Sequence, residues 1–510
     1  MKLQTAKASS RVLGAINSLL SLFLIAEAYL SLQWRIVHDG PILFYMGWLI
    51  RKFGYIPFRD FFDMNMPGAH WISALLGAVF GFSDPGYRRA DLFILAITLL
   101  LIFLWLRSFG YLPAWSAAVV FGLVYLQYGP GMSLQREFLI LPLLLAMLII
   151  FPMRDLSKEL RRLIVSGFFL GLAAMIKPQS GLLIFVLISV ILFSKQERKQ
   201  KILHASLFIL GCGLPFLTSI IYLGLNNALP DFFETATRYW PLYTEINGRL
   251  EINGSANHFF EILDGVKSIG LKSLWLFPAG FGFFSIIKNK SHLYENRLKA
   301  ALMAGGVVSS LIGVIIANKY WEYHWLPFIF FLILLSSAGL YTFNTLAHRL
   351  MVWAFTVSLI LVMIILLKPS NEFWLQMNGQ ELPPPQGGRV DEIANYLEKN
   401  LQPGDTVQPL DWSNGAVHAM LTAKARLATR YLYDFHFYHH ISNPEIQHLR
   451  QDLIVNLTLS KPKIIIQFIG DRPWVNGPDT SREFPELQQF VNDNYLLDIE
   501  KNGYRLWLRK

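Results

Sequence analysis

The sequence predicts a polytopic α-helical membrane protein with a small α/β domain at its C-terminal end, and three observations carry that expectation. The 510 residues are 53% hydrophobic and only 16% charged, with a mean hydropathy of +0.38, values outside the soluble range. The formal net charge of +10 is gathered in short basic clusters between apolar stretches. That is how loops look under the positive-inside rule, and it argues against a nucleic-acid partner. Past Lys368 the pattern changes to alternating amphipathic and strand-like segments.

Lys2, Lys7 and Arg11 precede the apolar residues 12–32, and no small-residue cleavage site follows, which reads as a retained signal anchor with a cytoplasmic N-terminus. Further apolar spans are expected near 88–107, 113–129, 136–152, 162–176, 178–194, 202–224, 271–288, 298–316, 323–344 and 350–367. With the first, these make about eleven transmembrane helices. The most basic connections are Arg154–Arg162, Lys195–Lys201, Lys288–Arg297 and His348–Arg349, and an even number of spans between each pair allows all four to be cytoplasmic. The loop 225–270, the turn Asn318–Glu322 and everything after Lys368 then fall outside. Residues 68–81 are helical in pattern but short for a crossing. Read as an interfacial helix, they keep the first outer loop, 34–87, on the same side as the later ones. The loop 225–270 carries Arg238, Tyr239, Trp240, Tyr243, Arg249 and Asn253. It has two readings, a lid over a site or an aromatic-anchored interfacial loop. Cys212, the single cysteine, lies in an apolar span, so no disulfide forms within the chain and a prokaryotic inner or plasma membrane is favoured.

These features divide the chain into a membrane domain, 1–368, a linker, 369–388, and an extracytoplasmic α/β domain, 389–510. The linker is marked by Pro383-Pro384-Pro385 and Gly387-Gly388. Beyond it we expect a helix near Val390–Asn400, a strand at Thr406–Leu410, a helix near Ile446–Leu459, a strand at Lys463–Ile469 and a helix at Phe484–Asn494. Asn502-Gly503 should turn a terminal hairpin. His436, His439 and His440 beside Asp434 read as exposed loop residues rather than a metal site.

Charged residues beside hydrocarbon are costly, so those at span ends are the candidates for chemistry. Asp39, before the turn-forming Gly40-Pro41, is one; it suits a general base or a helix N-cap. Arg59 and Asp60 suit substrate contacts or a local ion pair, and Asp63 with Asn65 a turn before Pro67. Arg136 and Glu137 open a span directly before Phe138 and Leu139, and Lys177-Pro178 joins two spans with almost no loop. Interfacial snorkelling or phosphate binding both account for Lys177. The turn from Lys319 to Pro327 gathers Lys319, Glu322, Tyr323, His324 and further aromatics. An aromatic belt explains Trp and Tyr there but not Lys, Glu and His together. Glu322 and His324 are the candidate ligands for a divalent metal ion, the one cofactor the sequence suggests.

The order of these features resembles the GT-C superfamily of membrane glycosyltransferases, in the branch of the protein O-mannosyltransferases and the lipid A aminoarabinose transferase. An acid early in the first outer loop is followed by Gly54-Tyr55-Ile56-Pro57-Phe58-Arg59-Asp60-Phe61 and then by Pro67-Gly68. Glu137, Lys177-Pro178 and Tyr323-His324-Trp325-Leu326-Pro327 match the later motifs, over roughly residues 12–345. Two departures are visible. This chain has His38-Asp39-Gly40 where the family often has two acids, and Asn65-Met66-Pro67 where it often has Lys-Pro-Pro. The resemblance implies inverting transfer from a polyprenyl-phosphate sugar, with Asp39 as base, to an acceptor glycan, lipid or protein on the outer face. Glu137 would support it as an acid, and Arg59, Lys177 and Lys319 would contact phosphate, with His324 positioning phosphate or metal. A transporter or flippase is the alternative, but the charges gather at one face and no inverted repeat is visible.

Overall fold

The computed structural model describes residues 2–153, 160–250, 252, 258–288, 294–344, 349–472, 475–501 and 503–510. The expected connections at 154–162, 288–297 and 348–349 lie partly outside these residues, as do Asn253 and Asn502. Two compact units are formed, Met1–Gln33 with Asp91–Thr218 and Leu263–Glu381, and Trp34–Ala90 with Ser219–Ile262 and Leu382–Lys510.

The first unit is helical. Among the described residues of the chain, six helices are long and apolar enough to cross a bilayer: Val12–Gln33, Asp84–Phe109, Arg198–Leu225, Gly270–Lys288, Tyr294–Ala317 and Glu322–Tyr341. Trp353–Leu366 and Asn371–Met377, bent by 64°, make a seventh if counted as one span. Tyr111–Leu126 and Pro178–Leu192 are apolar but shorter. Helices also stand at the expected spans beginning near 136 and 162, as Arg136–Ile150 and Leu160–Ile176.

Side-chain exposure sorts the helices by their surroundings. Leu326–Ala338 is apolar on every side and every one of its residues is buried, as befits the middle of a bundle. Trp353, Val357, Ile360 and Ile364, spaced to share one helix face, are instead exposed, the arrangement of a face turned to lipid. Leu160–Ile176 and Arg198–Leu225 approach through glycines. A Cβ on Gly167 would lie 2.2 Å from the Phe208 carbonyl oxygen, and one on Gly211 would lie 2.1 Å from that of Ile164.

The second unit holds a five-stranded sheet of β1 (Thr406–Leu410), β2 (Arg426–Leu427), β3 (Ile464–Phe468), β4 (Tyr495–Lys501) and β5 (Tyr504–Arg509), in the order β2-β1-β3-β5-β4. β1 runs parallel to β2 and β3, and Val407 faces Ile464 across the latter pair. β5 is antiparallel to both its neighbours, so the chain closes on the hairpin expected about Gly503, whose φ is +85°. Helices Arg389–Asn400, Pro444–Ser460 and Pro485–Asn494 fall where the periodicity places them. Arg389–Asn400 buries Val390, Ile393, Ala394 and Leu397, the i, i+3, i+4, i+7 stripe of an amphipathic helix.

The first outer loop belongs to this unit and is itself built of helices, Gly40–Phe53 and Pro67–Phe80. At ~1.5 Å per residue, the latter is about 21 Å long, short of a ~30 Å hydrocarbon core. The two pack closely, and a Cβ on Gly47 would lie 2.7 Å from the Ala74 nitrogen. Tyr45 Oη donates to the Ala425 carbonyl at 2.7 Å, and the Phe62 nitrogen donates to the Arg430 carbonyl at 2.7 Å. Arg35 binds Asp391 through two bonds of 2.7 and 2.8 Å and Asp84 through one of 2.6 Å, while His418 Nε2 lies 2.8 Å from Asp84. These charge-assisted contacts tie residues 35–84 to the C-terminal segment.

Candidate active site

Three of the sequence candidates meet in the first unit. Glu137 is the second residue of the Arg136–Ile150 helix, where a carboxylate is favoured by the helix dipole, yet its side chain is only 3% exposed. Lys177 stands between two helices. Pro178 pushes the residue before it into extended backbone (φ −139°, ψ 102°), which stops the Leu160–Ile176 helix and turns the lysine toward Glu137. Its Nζ lies 2.5 Å from Glu137 Oε1. His324, in the short 3-10 turn Glu322–Trp325, places Nε2 3.2 Å from the same oxygen and 3.4 Å from Lys177 Nζ. Trp321 and Tyr323 hold the imidazole from two sides, with ring centroids 5.5 and 4.7 Å away.

Glu137, Lys177 and His324 open into a cavity walled by Ile140, Leu144 and the Ser309–Ala317 end of a neighbouring helix. Among the described residues, Glu137 Oε2 and His324 Nδ1 have no hydrogen-bond partner. Gln179, on the same wall, has an unpartnered Oε1 as well; buried polar atoms are normally satisfied, so such orphans on residues lining one cavity mark a place where a ligand's donors and acceptors would fit. Lys319 is nearby in sequence, buried between Asn318 and Tyr320, both with φ near +50°. Left-handed backbone at two non-glycine residues is strain that the surrounding packing must hold. Burial, aided by the charge of Lys177, lowers the Lys319 ammonium to about 7. Arg136 is partly buried beside Glu137.

The motif reading missed what positions Glu137. Asp91, fully buried, accepts from the Leu134 nitrogen at 2.9 Å and from the Tyr125 hydroxyl. Leu134 has φ +50° and opens the turn that leads into Arg136 and Glu137. A carboxylate within the apolar run that follows Ala90 was the available signal.

Asp39, Arg59 and Asp60 belong to the second unit. Asp39 occupies the N-cap position of Gly40–Phe53, and its carbonyl accepts from Ile42 and Leu43, but its carboxylate makes no capping hydrogen bond. The N-cap reading therefore accounts for the backbone and not for the side chain. Residues 36–38, just before it, line a small cavity with Gln386, Ser413 and His418. Arg59 and Asp60 bind each other through two bonds of 2.8 Å, Arg59 adds the Asn226 carbonyl, and Asp60 accepts from the Ile56 nitrogen. Asp63 is the structural acid of the loop. It receives His70 Nε2 and the Tyr433 hydroxyl, each at 2.7 Å, together with both nitrogens of Asn65. Burial raises its pKa, but the bonds and charge from His70, with those of Tyr433 and Asn65, bring it down to about 2.

Two expectations need correction. The histidines near Asp434 are buried rather than exposed, because residues 239–250 pack over them. His436 Nδ1 lies 2.6 Å from Tyr239 Oη, and His439 and His440 reach the carbonyls of Leu250 and Leu242. Asp434 is held by Arg472 at 2.7 Å. Glu322 and His324 are not turned toward a shared ion. Glu322 is 71% exposed and pairs with Lys272, while His324 is buried against Glu137. Among the described residues, no three His, Cys, Asp or Glu side chains are placed to hold a metal.

Residues 65–222 match the family described as dolichyl-phosphate-mannose-protein mannosyltransferase. That match spans less than half of the chain, and it falls within the stretch that carries the GT-C resemblance read from the sequence. Among solved structures, the fold is that of ArnT from Cupriavidus metallidurans in the apo state, at 11% identity, with a TM-score of 0.58 and 98% of each chain covered. The oligosaccharyltransferase of Archaeoglobus fulgidus is also similar, at 11% identity and a TM-score of 0.43, over 88% of this chain and 69% of that one. No curated protein is matched by sequence.

Proposed function

We propose that the chain is an inverting glycosyltransferase that moves a sugar from a polyprenyl-phosphate donor to an acceptor on the outer face of the membrane. The observation that carries this reading is the buried carboxylate of Glu137, paired to Lys177 and His324, on the wall of a cavity among membrane helices. A donor whose lipid tail stays in the bilayer needs its phosphate bound at such a place. The matched family, by its description, uses a dolichyl-phosphate-linked mannose.

In this mechanism Asp39 takes the proton of the acceptor hydroxyl, and the acceptor oxygen attacks the anomeric carbon from the side opposite the phosphate. The anomeric C–O bond breaks, and polyprenyl phosphate leaves with the bonding pair. Lys177, Lys319 and Arg59 steady its charge, and His324 positions the phosphate. Glu137 holds Lys177 and His324 in place, while Arg136, Asp60 and Tyr323 complete the substrate contacts. The N-terminus is cytoplasmic and the C-terminal domain extracytoplasmic, in a bacterial inner or plasma membrane.

The test is transfer of radiolabel from a polyprenyl-phosphate sugar in proteoliposomes, against the same sugar on a nucleotide. Label should move from the lipid donor alone. Transfer from the nucleotide alone, or uptake of label without a new glycosidic bond, would overturn the reading.

A further inference from the structure

The helical unit has a second polar cavity, of about 700 Å3. It is lined by Trp105, Arg107 and Ser108, by Arg162, and by Glu295 and Lys299. It lies at the opposite ends of two helices that also wall the Glu137 cavity. On Arg136–Ile150, Glu137 is at the start and Ile149, which lines the second cavity, is at the finish. On Tyr294–Ala317, Lys299 is in the early turns and Gly313, which lines the first cavity, is near the end. At ~1.5 Å per residue, about 18 to 21 Å separates the two cavities along those helices. That distance puts them in opposite leaflets of a ~30 Å core.

Among the described residues, the walls carry three cations against one carboxylate. Lys299, whose side chain is 9% exposed, is held by Ser108 Oγ at 2.9 Å, the Trp105 carbonyl at 3.2 Å and Glu295 at 3.5 Å, with the Trp105 ring 4.8 Å away. Arg162 donates to the carbonyls of Ile150 and Ile149 at 2.6 and 3.2 Å. These two cations lie against carbonyls at the ends of two helices and fix the frame. Arg107 is exposed at the rim, beside the strongly exposed Tyr111. An aromatic at the mouth and two exposed arginines beside the buried Lys299, which is already paired with Glu295, suit a phosphate delivered from the membrane interface. The volume suits a whole headgroup better than an isolated ion.

We propose that this cavity binds the phosphate of an anionic phospholipid headgroup in the leaflet opposite the Glu137 site. The test uses the full chain purified in detergent and titrated with fluorescently labelled phosphatidylglycerol or phosphatidylcholine. Phosphatidylglycerol should bind saturably and phosphatidylcholine should not. Each lost cation is worth roughly fivefold in affinity, so Arg107→Gln should weaken phosphatidylglycerol about fivefold and Arg107→Glu more. Inorganic phosphate should not displace the lipid at concentrations comparable to it. Equal binding of both lipids, unchanged affinity in both Arg107 variants, or full displacement by inorganic phosphate would each overturn the proposal.

Discussion

The contact between Glu137 and Lys177 should behave as a coupled pair, and a double-mutant cycle measures it. Lys177→Met would leave Glu137, 3% exposed, buried without its cation, and Glu137→Gln would leave Lys177, 13% exposed, without its anion. Removing one partner of a buried pair costs about 3–5 kcal/mol, whereas replacing both by neutral groups of similar size is often close to neutral. The lysine retains more access to water, so Glu137→Gln should fall near the lower end of that range. The double variant should then be less destabilised than the sum of the singles by at least about 2 kcal/mol. His324 Nε2, 3.2 Å from Glu137 and 3.4 Å from Lys177, belongs to the same cluster, so His324→Ala should alter the coupling as well. The assay is unfolding in lipid nanodiscs, with the three variants and the parent in one lipid. Additivity to within ~0.5 kcal/mol would refute the pairing on which the site is built.

Asp63 should make stability fall in acid. Its pKa in the fold is about 2, below the ordinary 3.8, so its contribution is complete above the higher value and disappears as pH falls through the lower one. That is worth about 2 kcal/mol, seen as a drop between pH 4 and pH 2 that Asp63→Asn abolishes. Asp91→Asn should lower turnover and weaken donor binding together, because it loosens the turn that aims Glu137 and, through Glu137, Lys177 and His324; equal kcat and KM in parent and variant would remove Asp91 from that role. Gly167→Ala should destabilise the helical unit by about 1–3 kcal/mol, since its methyl would meet the Phe208 carbonyl at 2.2 Å, and thermal unfolding checks it.

The apolar helices and four of the five C-terminal strands were legible because each follows from a period repeated over consecutive residues, whereas β2, two residues long, carries no such period. Leu326–Ala338 and Thr406–Leu410 are examples, one apolar all round and the other a short run bounded by turns. Glu137, Lys177 and His324 were legible one by one, as charges where hydrocarbon is near, and their meeting needed the fold. The long-range knots were not legible. Arg35 with Asp391 and Asp84 with His418 are each separated by more than three hundred residues, and nothing local distinguishes them from surface charges. His436 was misjudged for the same reason. Asp434, His439 and His440 close by in sequence suggest a loop in water, while Tyr239, distant in sequence, covers it and burial lowers its pKa to about 3. Asp63 shows a mixed case, with Asn65 a neighbour visible in sequence and Tyr433 one that was not.

The assignment of Asp39 as the base is tested most directly by turnover of Asp39→Asn with a polyprenyl-phosphate sugar in proteoliposomes. The change keeps the size of the side chain, and since the carboxylate makes no cap bond to the helix that follows, helix capping should not suffer. Loss of a general base predicts a fall in transfer of at least about 100-fold, with donor binding little changed. Full transfer by Asp39→Asn would contradict the mechanism.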